Sequence, residues 1–509
     1  MTHHAPAGAP LTLFNSLSRA TDPFVPIDPA MVRIYSCGPT VYNFAHLGNL
    51  RAYVFTDTLR RTLNWKGYAV NHVINITDVG HLTSDADAGD DKMEAAAERA
   101  GKSIWEIAAF YTAAFKADLA RLNIRTPTLW STATDHVQDM IAFAREIADK
   151  HCYRLDSGLY FDSGSVPDYG RLAGARGEET VGRIAEVDGK RNPSDFAIWR
   201  ASAPGERRQM EWQSPWGPGA PGWHLECSVM SMKYLGAQFD IHTGGIDHRE
   251  IHHVNEIAQN QAYTGCAETG ANWWMHNNFL IDRGGKMSKS AGGFATLQSL
   301  VDRGVHPLAY RLLCLSAHYR SELEFSTDSL SAALTRLRRL VIAVSALRDK
   351  AGEAGWMRVL DEAEAGRGAS SAWQRAAIES GLSDAGRKLL TQFDEAISAD
   401  LMMPRALPLI EDVAAMKALP ADERLRLVAT MDLALGLDLI RLSRADLRLR
   451  PARAAISEEA VEARIAARRA ARAEKDFATS DAIRDELMAA GIEIMDGDPL
   501  GWDWAIALD

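Results

Sequence analysis

Two short segments of the chain carry residue types whose order suits phosphoryl chemistry. The first is Cys37-Gly-Pro-Thr-Val-Tyr-Asn-Phe-Ala-His-Leu-Gly-Asn49, in which His46-Leu-Gly-Asn49 stands where a strand should give way to a helix. Free backbone N–H groups and the helix dipole at such a start favour a phosphate. Gly48 lets a base or ribose approach closely, and His46 can donate to a developing phosphoryl charge. The second segment is Lys286-Met-Ser-Lys-Ser290, behind Gly284-Gly285. Two lysines on a Gly-rich loop can clamp a triphosphate and follow its charge into the transition state. Taken singly, the first also reads as an ordinary polar helix start and the second as a solvated basic loop. Together, in this order and across a βα unit, they point to nucleotide chemistry. A third segment, Ala100-Gly-Lys-Ser103, looks like the end of a P-loop, but Ala96 stands where that motif needs glycine, so a helix break is the reading.

The elements that must position these residues follow from local patterning. Met31 to Cys37 is a β-type run ending at Gly38-Pro39, and Leu47 to Lys66 carries Leu50, Val54, Leu59 and Leu63 at helical spacing before a stop at Gly67. A strand-like run from Ala69 to Thr77 follows, which predicts a right-handed βαβ unit of parallel sheet. Its ligand edge lies where Cys37 to Asn49 leave the first strand. Lys92 to Leu122 reads as one long helix or two short ones, behind an acidic loop. From about Ser157 to Gly222 the chain turns to Gly, Pro, Trp and short β-type pieces, read as an inserted subdomain. The βα pattern resumes with Phe239 to His242 as a strand and His252 to Tyr263 as a helix, where the sheet is expected to close. Leu308 to Leu449 reads as a helical bundle interrupted chiefly at Pro404, Pro408 and Pro420. A basic helix with Arg464, Arg468, Arg469, Arg472 and Lys475 and a turn-rich piece from Gly491 complete the chain.

Composition narrows the classes. A chain of 509 residues suggests about three domains, and 47% apolar with 24% charged residues is the balance of a globular protein. No uncharged apolar run is long enough to cross a bilayer and no charged leader precedes Arg19, so the expectation is a cytoplasmic protein with no membrane partner. The net charge of −11 argues against non-specific coating of nucleic acid and leaves any RNA contact to local basic patches. Five scattered cysteines without a CxxC pair make a poor disulfide framework and read as reduced thiols, some of them on a metal.

The two motifs resemble those of the class I aminoacyl-tRNA synthetases, and the match is nearest to the cysteinyl-tRNA synthetases. The resemblance spans essentially the whole chain: Leu13-Phe-Asn-Ser-Leu-Ser18, Tyr35 to Tyr42, Asn75-Ile-Thr-Asp78, Pro221-Gly-Trp-His-Leu-Glu-Cys227, Asp240-Ile-His242 and His252-His-Val-Asn-Glu256. It implies an α/β fold: a Rossmann-type parallel-sheet catalytic domain over residues 1–307, with an inserted subdomain at about 123–222 and the lysine loop at 284–292. A tRNA-binding helical bundle over 308–450 and a small anticodon-side domain over 451–509 would follow. It implies an ATP-dependent ligase that joins L-cysteine to tRNA(Cys) through cysteinyl adenylate, as a monomer, with magnesium escorting ATP.

The resemblance also assigns residues. His46, Asn49, Lys286 and Lys289 would be catalytic. Pro39, Thr40, His46, Gly48, Asn49, Lys286 and Lys289 would hold ATP, and Gly38, Thr77, Trp223, His242 and Asp247 the cysteine. Cys37, Cys227, His252 and Glu256 match zinc ligands, one ion per chain, the last two spaced i, i+4 on one helix face. On their residue types alone, Cys37 and Cys227 read more readily as buried structural cysteines than as ligands; the resemblance reverses that. Zinc would select the substrate thiolate, because packing differences between sulfur and oxygen give only about 1–3 kcal/mol. A related ligase passes cysteine to an amino-sugar but is shorter, whereas this chain continues through a bundle and an Arg-rich tail; a binding-only relative would not need both lysines, His46 and four ligands. The chain departs from the pattern at His242-Thr-Gly-Gly-Ile-Asp247, at Val254, and in the acidic loop from Thr83 to Asp91, which is longer.

Overall fold

The computed structural model describes residues 8–79, 92–174, 189–203, 205, 208–268, 270–282, 285–286, 296–365 and 381–506. A hairpin, β1 (Thr12–Asn15) and β2 (Ala20–Pro23), precedes β3 (Val32–Ser36), α1 (Leu47–Trp65) and β4 (Val70–Ile76). The expected βαβ unit is there, with β3 and β4 parallel and in register from Val32↔Val70 to Ser36↔Ile74. Next come α2 (Lys92–Ala100) and α3 (Ile104–Arg121), two helices where the pattern allowed one or two, then β5 (Leu129–Thr132) and α4 (Val137–His151). Ser103 separates α2 from α3 because its hydroxyl caps α3 through Glu106 N–H and the Glu106 carboxylate returns the bond, a reciprocal cap that explains the helix break.

The inserted segment forms an antiparallel sheet of β6 (Cys152–Leu155), β7 (Gly158–Phe161), β8 (Phe196–Ala201) and β9 (Gly219–Pro221). The chain then returns through α5 (Trp223–Leu235), β10 (Gln238–Gly245), the short α6 (Ile246–Glu250) and α7 (His252–Thr264). The sheet does not close at α7, as the sequence had suggested. β11 (Gly270–Asn277) adds to it in parallel with β10, giving the order β11-β10-β3-β4-β5. Its apolar Trp273-Trp274-Met275 run is too short to be distinguished from buried helix by periodicity, and only pairing with β10 makes it a strand.

A small sheet of β12 (Leu280–Asp282), β13 (Gly285–Lys286) and β14 (Leu323–Glu324) lies beside α8 (Leu297–Val301) and α9 (Pro307–Leu315). The bundle comprises α10 (Thr327–Ala365, kinked at Gly352), α11 (Asp384–Ser398), α12 (Met403–Ala415) and α13 (Ala421–Leu435). Pro404 stands at a helix boundary, as expected, but Pro408 does not interrupt the bundle. Pro404 sits in the first turn of α12, where a missing N–H costs nothing, and Pro408 is carried inside the same helix. Pro420 does mark a boundary, as the N-cap of α13. The chain ends in α14 (Glu458–Ala473), α15 (Phe477–Ala489) and a hairpin of β15 (Ile492–Ile494) with β16 (Trp502–Trp504) around its own small core.

Both faces of the parallel sheet are covered, as parallel sheets require. One core joins α1, α3 and the bundle, and the other joins α4, α5, α7 and the inserted sheet. α1 is therefore buried nearly all round, which is why its charged residues are paired inside the protein. Asp57 Oδ2 accepts from Arg61 Nε and from Arg311 Nη2, each at 2.6 Å, and Arg311 also reaches the carbonyls of Leu435 and Leu122. Among the described residues no helix is long and apolar enough to cross a membrane.

Candidate active site and metal centre

From β3 the strand order runs one way to β4 and β5 and the other way to β10 and β11, so the switch point lies between β3 and β10. The chain leaving β3 there begins with Cys37, whose N–H donates to Thr243 O at 3.1 Å. Cys227 comes from the second turn of α5, and His252 and Glu256 from the first turns of α7. These four residues, 190 positions apart at the first step, place one potential ligand atom each within 4.8 Å of one another.

The donor set fits a four-coordinate ion such as zinc. Glu256 is fully buried, its Oε2 is bonded to His242 Nε2 at 2.9 Å, and its Oε1 faces His252. That oxygen lies 3.1 Å from His252 Nε2, close to the edge of about 3.3 Å expected for nitrogen and oxygen ligands around a tetrahedral zinc. His252 Nδ1 is held at 2.9 Å by His224 Nδ1, the outer contact that orients a metal-ligating imidazole. A second grouping, Cys37, His242, His253 and Glu256, is equally compact. It fits less well, because His242 already serves Glu256 and His253 spans Cys37 Sγ (3.3 Å) and His276 Nε2 (2.8 Å). His276 Nδ1 continues to Ser16 Oγ at 2.8 Å, so a chain of three bonds backs Cys37.

The electrostatics agree with a cation-seeking cluster. Burial opposes ionisation of Glu256, but the charges of and bonds from His242 and His252 hold its carboxyl down at about 2. The Cys37 thiol is likewise pulled well below its usual range, against burial, by bonds from Cys227 and His252. Cys227 moves the opposite way, raised by burial and by the neighbouring Cys37 sulfur. His252 resists the effect of burial and rises to about 10, because Glu256 and Cys37 surround it with negative charge. A dication held by these ligands would replace the protons on Cys227 and His252.

His46 and Asn49 form a reciprocal cap at the start of α1. Asn49 N–H donates to His46 Nδ1 at 3.2 Å, and His46 N–H donates to Asn49 Oδ1 at 3.3 Å. The acceptor role at Nδ1 leaves the proton of the neutral ring on Nε2, so His46 is fixed as a donor tautomer. Gly48 permits this: a Cβ there would stand 3.0 Å from the imidazole atoms Cε1 and Nδ1. Pro39 O accepts from Thr77 N–H, and Thr40 forms a bridge with Thr77, which ties the chain after β3 to the end of β4. Lys286 belongs to β13, paired with Ile281, but its side chain, all of Lys289 and most of loop 284–292 lie outside the described residues. The acidic loop from Thr83 to Asp91 lies outside them as well.

The five residues expected around the amino acid are distributed unevenly. Gly38 N–H donates to Asn75 Oδ1 at 2.7 Å, and a Cβ on Gly38 would fall 1.5 Å from Asn75 O, so only glycine fits. Trp223 opens α5 with its ring 4.3 Å from that of His252. Thr77 is buried and bonded to Glu226. His242 is fully buried behind Glu256 and stacked on Trp274 at 4.6 Å, so its contact is with the carboxylate. Asp247 lies in the first turn of α6 with 55% of its side chain exposed. Sequence reasoning missed Asn75, His224, Glu226, His253 and His276. His253 was within reach, since it stands i, i+3 from Glu256, and Asn75 shares a strand face with Thr77. His276 carries no such signal, because only β10–β11 pairing brings it close. Gly38→Ala should cost about 1–3 kcal/mol of stability by overpacking, read by urea unfolding. An unchanged midpoint would mean that the approach of β3 to Asn75 is not fixed.

Comparison with known proteins follows the same lines. The family model for the class I (C) tRNA synthetase catalytic domain matches residues 23–335, and that for the cysteinyl-tRNA ligase anticodon binding domain matches residues 457–499. The cysteine–tRNA ligase of Zymomonas mobilis is 64% identical, covering 98% of this chain and 99% of that protein. That of Novosphingobium aromaticivorans is 56% identical with both chains covered in full, and cysteine–tRNA ligase 1 of Burkholderia lata is 47% identical over 96% and 95%. The chain belongs to the class I tRNA synthetases and, within them, to the cysteine–tRNA ligase family. It is thus an ATP-dependent ligase.

Proposed function

We propose that the enzyme activates L-cysteine with ATP to cysteinyl adenylate and transfers the cysteinyl group to the 3′-terminal adenosine of tRNA(Cys). Zinc held by Cys37, Cys227, His252 and Glu256 selects the substrate thiolate. The observation that supports this reading is the buried convergence of Cys37, Cys227, His252 and Glu256, the one four-residue group with two thiols among the described residues, with its ligand atoms within 4.8 Å of one another. When bound, zinc supplies a sulfur-tolerant Lewis acid that distinguishes a thiolate from a hydroxyl.

The chain's own residues do the rest. The cysteine carboxylate attacks the α-phosphate and pyrophosphate leaves; a ribose hydroxyl of the tRNA then attacks the carbonyl of the adenylate, takes the cysteinyl group and releases AMP. No protein nucleophile is required, so catalysis is positioning and charge stabilisation. His46 Nε2–H and the N-terminal N–H groups of α1 meet the phosphates, while Pro39, Thr40, Gly48 and Asn49 shape the nucleotide cradle. Lys286 and Lys289 follow the triphosphate charge, with magnesium as escort. Gly38, Thr77, Trp223, His242 and Asp247 surround the amino acid directly or through the ligands they touch. Residues 308–450 bind tRNA and residues 451–509 take its anticodon side, the latter supported by the family match over 457–499. On α14, Arg464 pairs with Glu486, while Arg468 and Arg472 share Asp496, which sets that basic face in place.

The test is ATP–pyrophosphate exchange with cysteine and with serine, on protein assayed for zinc before and after chelation. Exchange with cysteine alone, at one zinc per chain and abolished by chelation, is expected. Equal exchange with serine would overturn the role given to the four ligands.

A further inference from the structure

Glu226 is assigned no part in the reading above, yet it is nearly fully buried, one residue before Cys227, and touches the amino-acid pocket only through another side chain. Thr77 Oγ1 donates its proton to Glu226 Oε2 at 2.8 Å and receives Asn75 Nδ2–H at 3.1 Å. Asn75 is itself anchored, because its Oδ1 accepts Gly38 N–H at 2.7 Å. A hydroxyl has one proton and two lone pairs. With the proton committed to Glu226 and one lone pair to Asn75, Thr77 has a single remaining capacity, that of an acceptor. Glu226 Oε2 accepts this proton as a carboxylate, and equally as an acid whose own proton sits on Oε1.

We infer that Glu226 is a positioning residue for substrate selection: it turns the Thr77 hydroxyl into an obligate acceptor, which admits the ammonium of an α-amino acid. Its target chemistry is the amine, whereas the metal ligands answer to the sulfur. The inference rests on the placement of Thr77 in the cysteine pocket. Asp78 adds negative charge beside the same strand end, its carboxylate occupied by Thr134 N–H at 2.9 Å and by the Thr134 hydroxyl. Glu226→Gln reverses the polarity at nearly constant shape. Its amide can donate to Thr77 Oγ1 and release the hydroxyl proton toward the pocket, where it opposes an ammonium.

The experiment uses the zinc-loaded enzyme, pyrophosphate exchange, and 3-mercaptopropionate, which is cysteine without its amino group, as a competitive probe. For Glu226→Gln the expected result is a cysteine KM raised about 10- to 100-fold, the range of a lost hydrogen bond to a charged group. The KM for ATP, the zinc content and the inhibition constant of 3-mercaptopropionate stay within twofold of the parent. If the inhibition constant rises in step with the cysteine KM, if the KM does not change, or if zinc is lost, the inference is overturned. Thr77→Val separates the two levels. A change in cysteine KM relative to 3-mercaptopropionate in Thr77→Val, absent in Glu226→Gln, removes Glu226 and keeps the pocket. No such change in either variant removes the placement of Thr77 itself.

Discussion

Cys227→Ser is expected to abolish zinc binding and to collapse the preference for cysteine over serine. In the parent, direct recognition of one group at a site built for it supports a kcat/KM ratio on the order of 10⁴–10⁵, because the wrong substrate leaves a buried partner unsatisfied. Without the metal only packing remains, and packing separates groups of this size by about 10–200-fold. Cys227 is the substitution of choice because it is buried, comes from a different element than Cys37, and lies on α5 with Trp223, whose ring is 4.3 Å from that of His252. Cys266→Ser, at an exposed position, is the matched control and should leave both zinc and selectivity intact. Exchange assays with the two amino acids, with metal analysis on the same samples, decide the matter. A Cys227→Ser protein that keeps its preference for cysteine would remove the metal from substrate selection.

The second large effect is on stability. Arg311 is fully buried and bonds the Asp57 carboxylate with one nitrogen while the others satisfy Leu435 O at 2.7 Å and Leu122 O at 3.0 Å. It thereby joins α1, the end of α3 and the end of α13. Asp57 also accepts from Arg61 and from Arg125 N–H, and its carboxyl is held well below the usual range: burial raises it, but the charges of Arg61 and Arg311 prevail. Arg311→Met leaves Asp57 partly uncompensated and strands two carbonyls, with an expected cost of about 3–5 kcal/mol. Because the folded-state pKa of Asp57 is depressed, its contribution is fully present above about pH 4 and fades only as the pH falls further. The loss should therefore be the same at pH 6 and pH 8. Adding Asp57→Asn to Arg311→Met should recover part of it, since the unpaired charge is then gone. Urea unfolding of the two variants is the measurement, and a cost below about 1 kcal/mol for Arg311→Met would show that the pair is only a passive contact.

This cluster also shows where patterning ran out. On α1, Asp57 and Arg61 look in sequence like an exposed i, i+4 pair opposite the Leu50, Val54, Leu59 and Leu63 face, yet both are buried because the bundle covers that side as well. Nothing in the local periodicity of residues 47–66 registers a bundle more than 250 positions away. Likewise, β11 was missed because its apolar run acquires an identity only when β10 offers an edge.

What the sequence determined by itself was the candidate residue set and the βα rhythm around it. Strand and helix periods, the reciprocal cap of His46 with Asn49, the cap at Ser103 and the i, i+4 spacing of His252 and Glu256 are all written within a few residues of chain, where backbone geometry alone sets which side chains meet. The tertiary structure alone decided which distant pieces converge. The strand order β10-β3-β4 carries Cys37 to Cys227 and α7, brings His276 behind His253, and seats Glu226 on Thr77. Those contacts depend on how sheets and helices pack over long loops, and that information is spread through the core, outside the motifs.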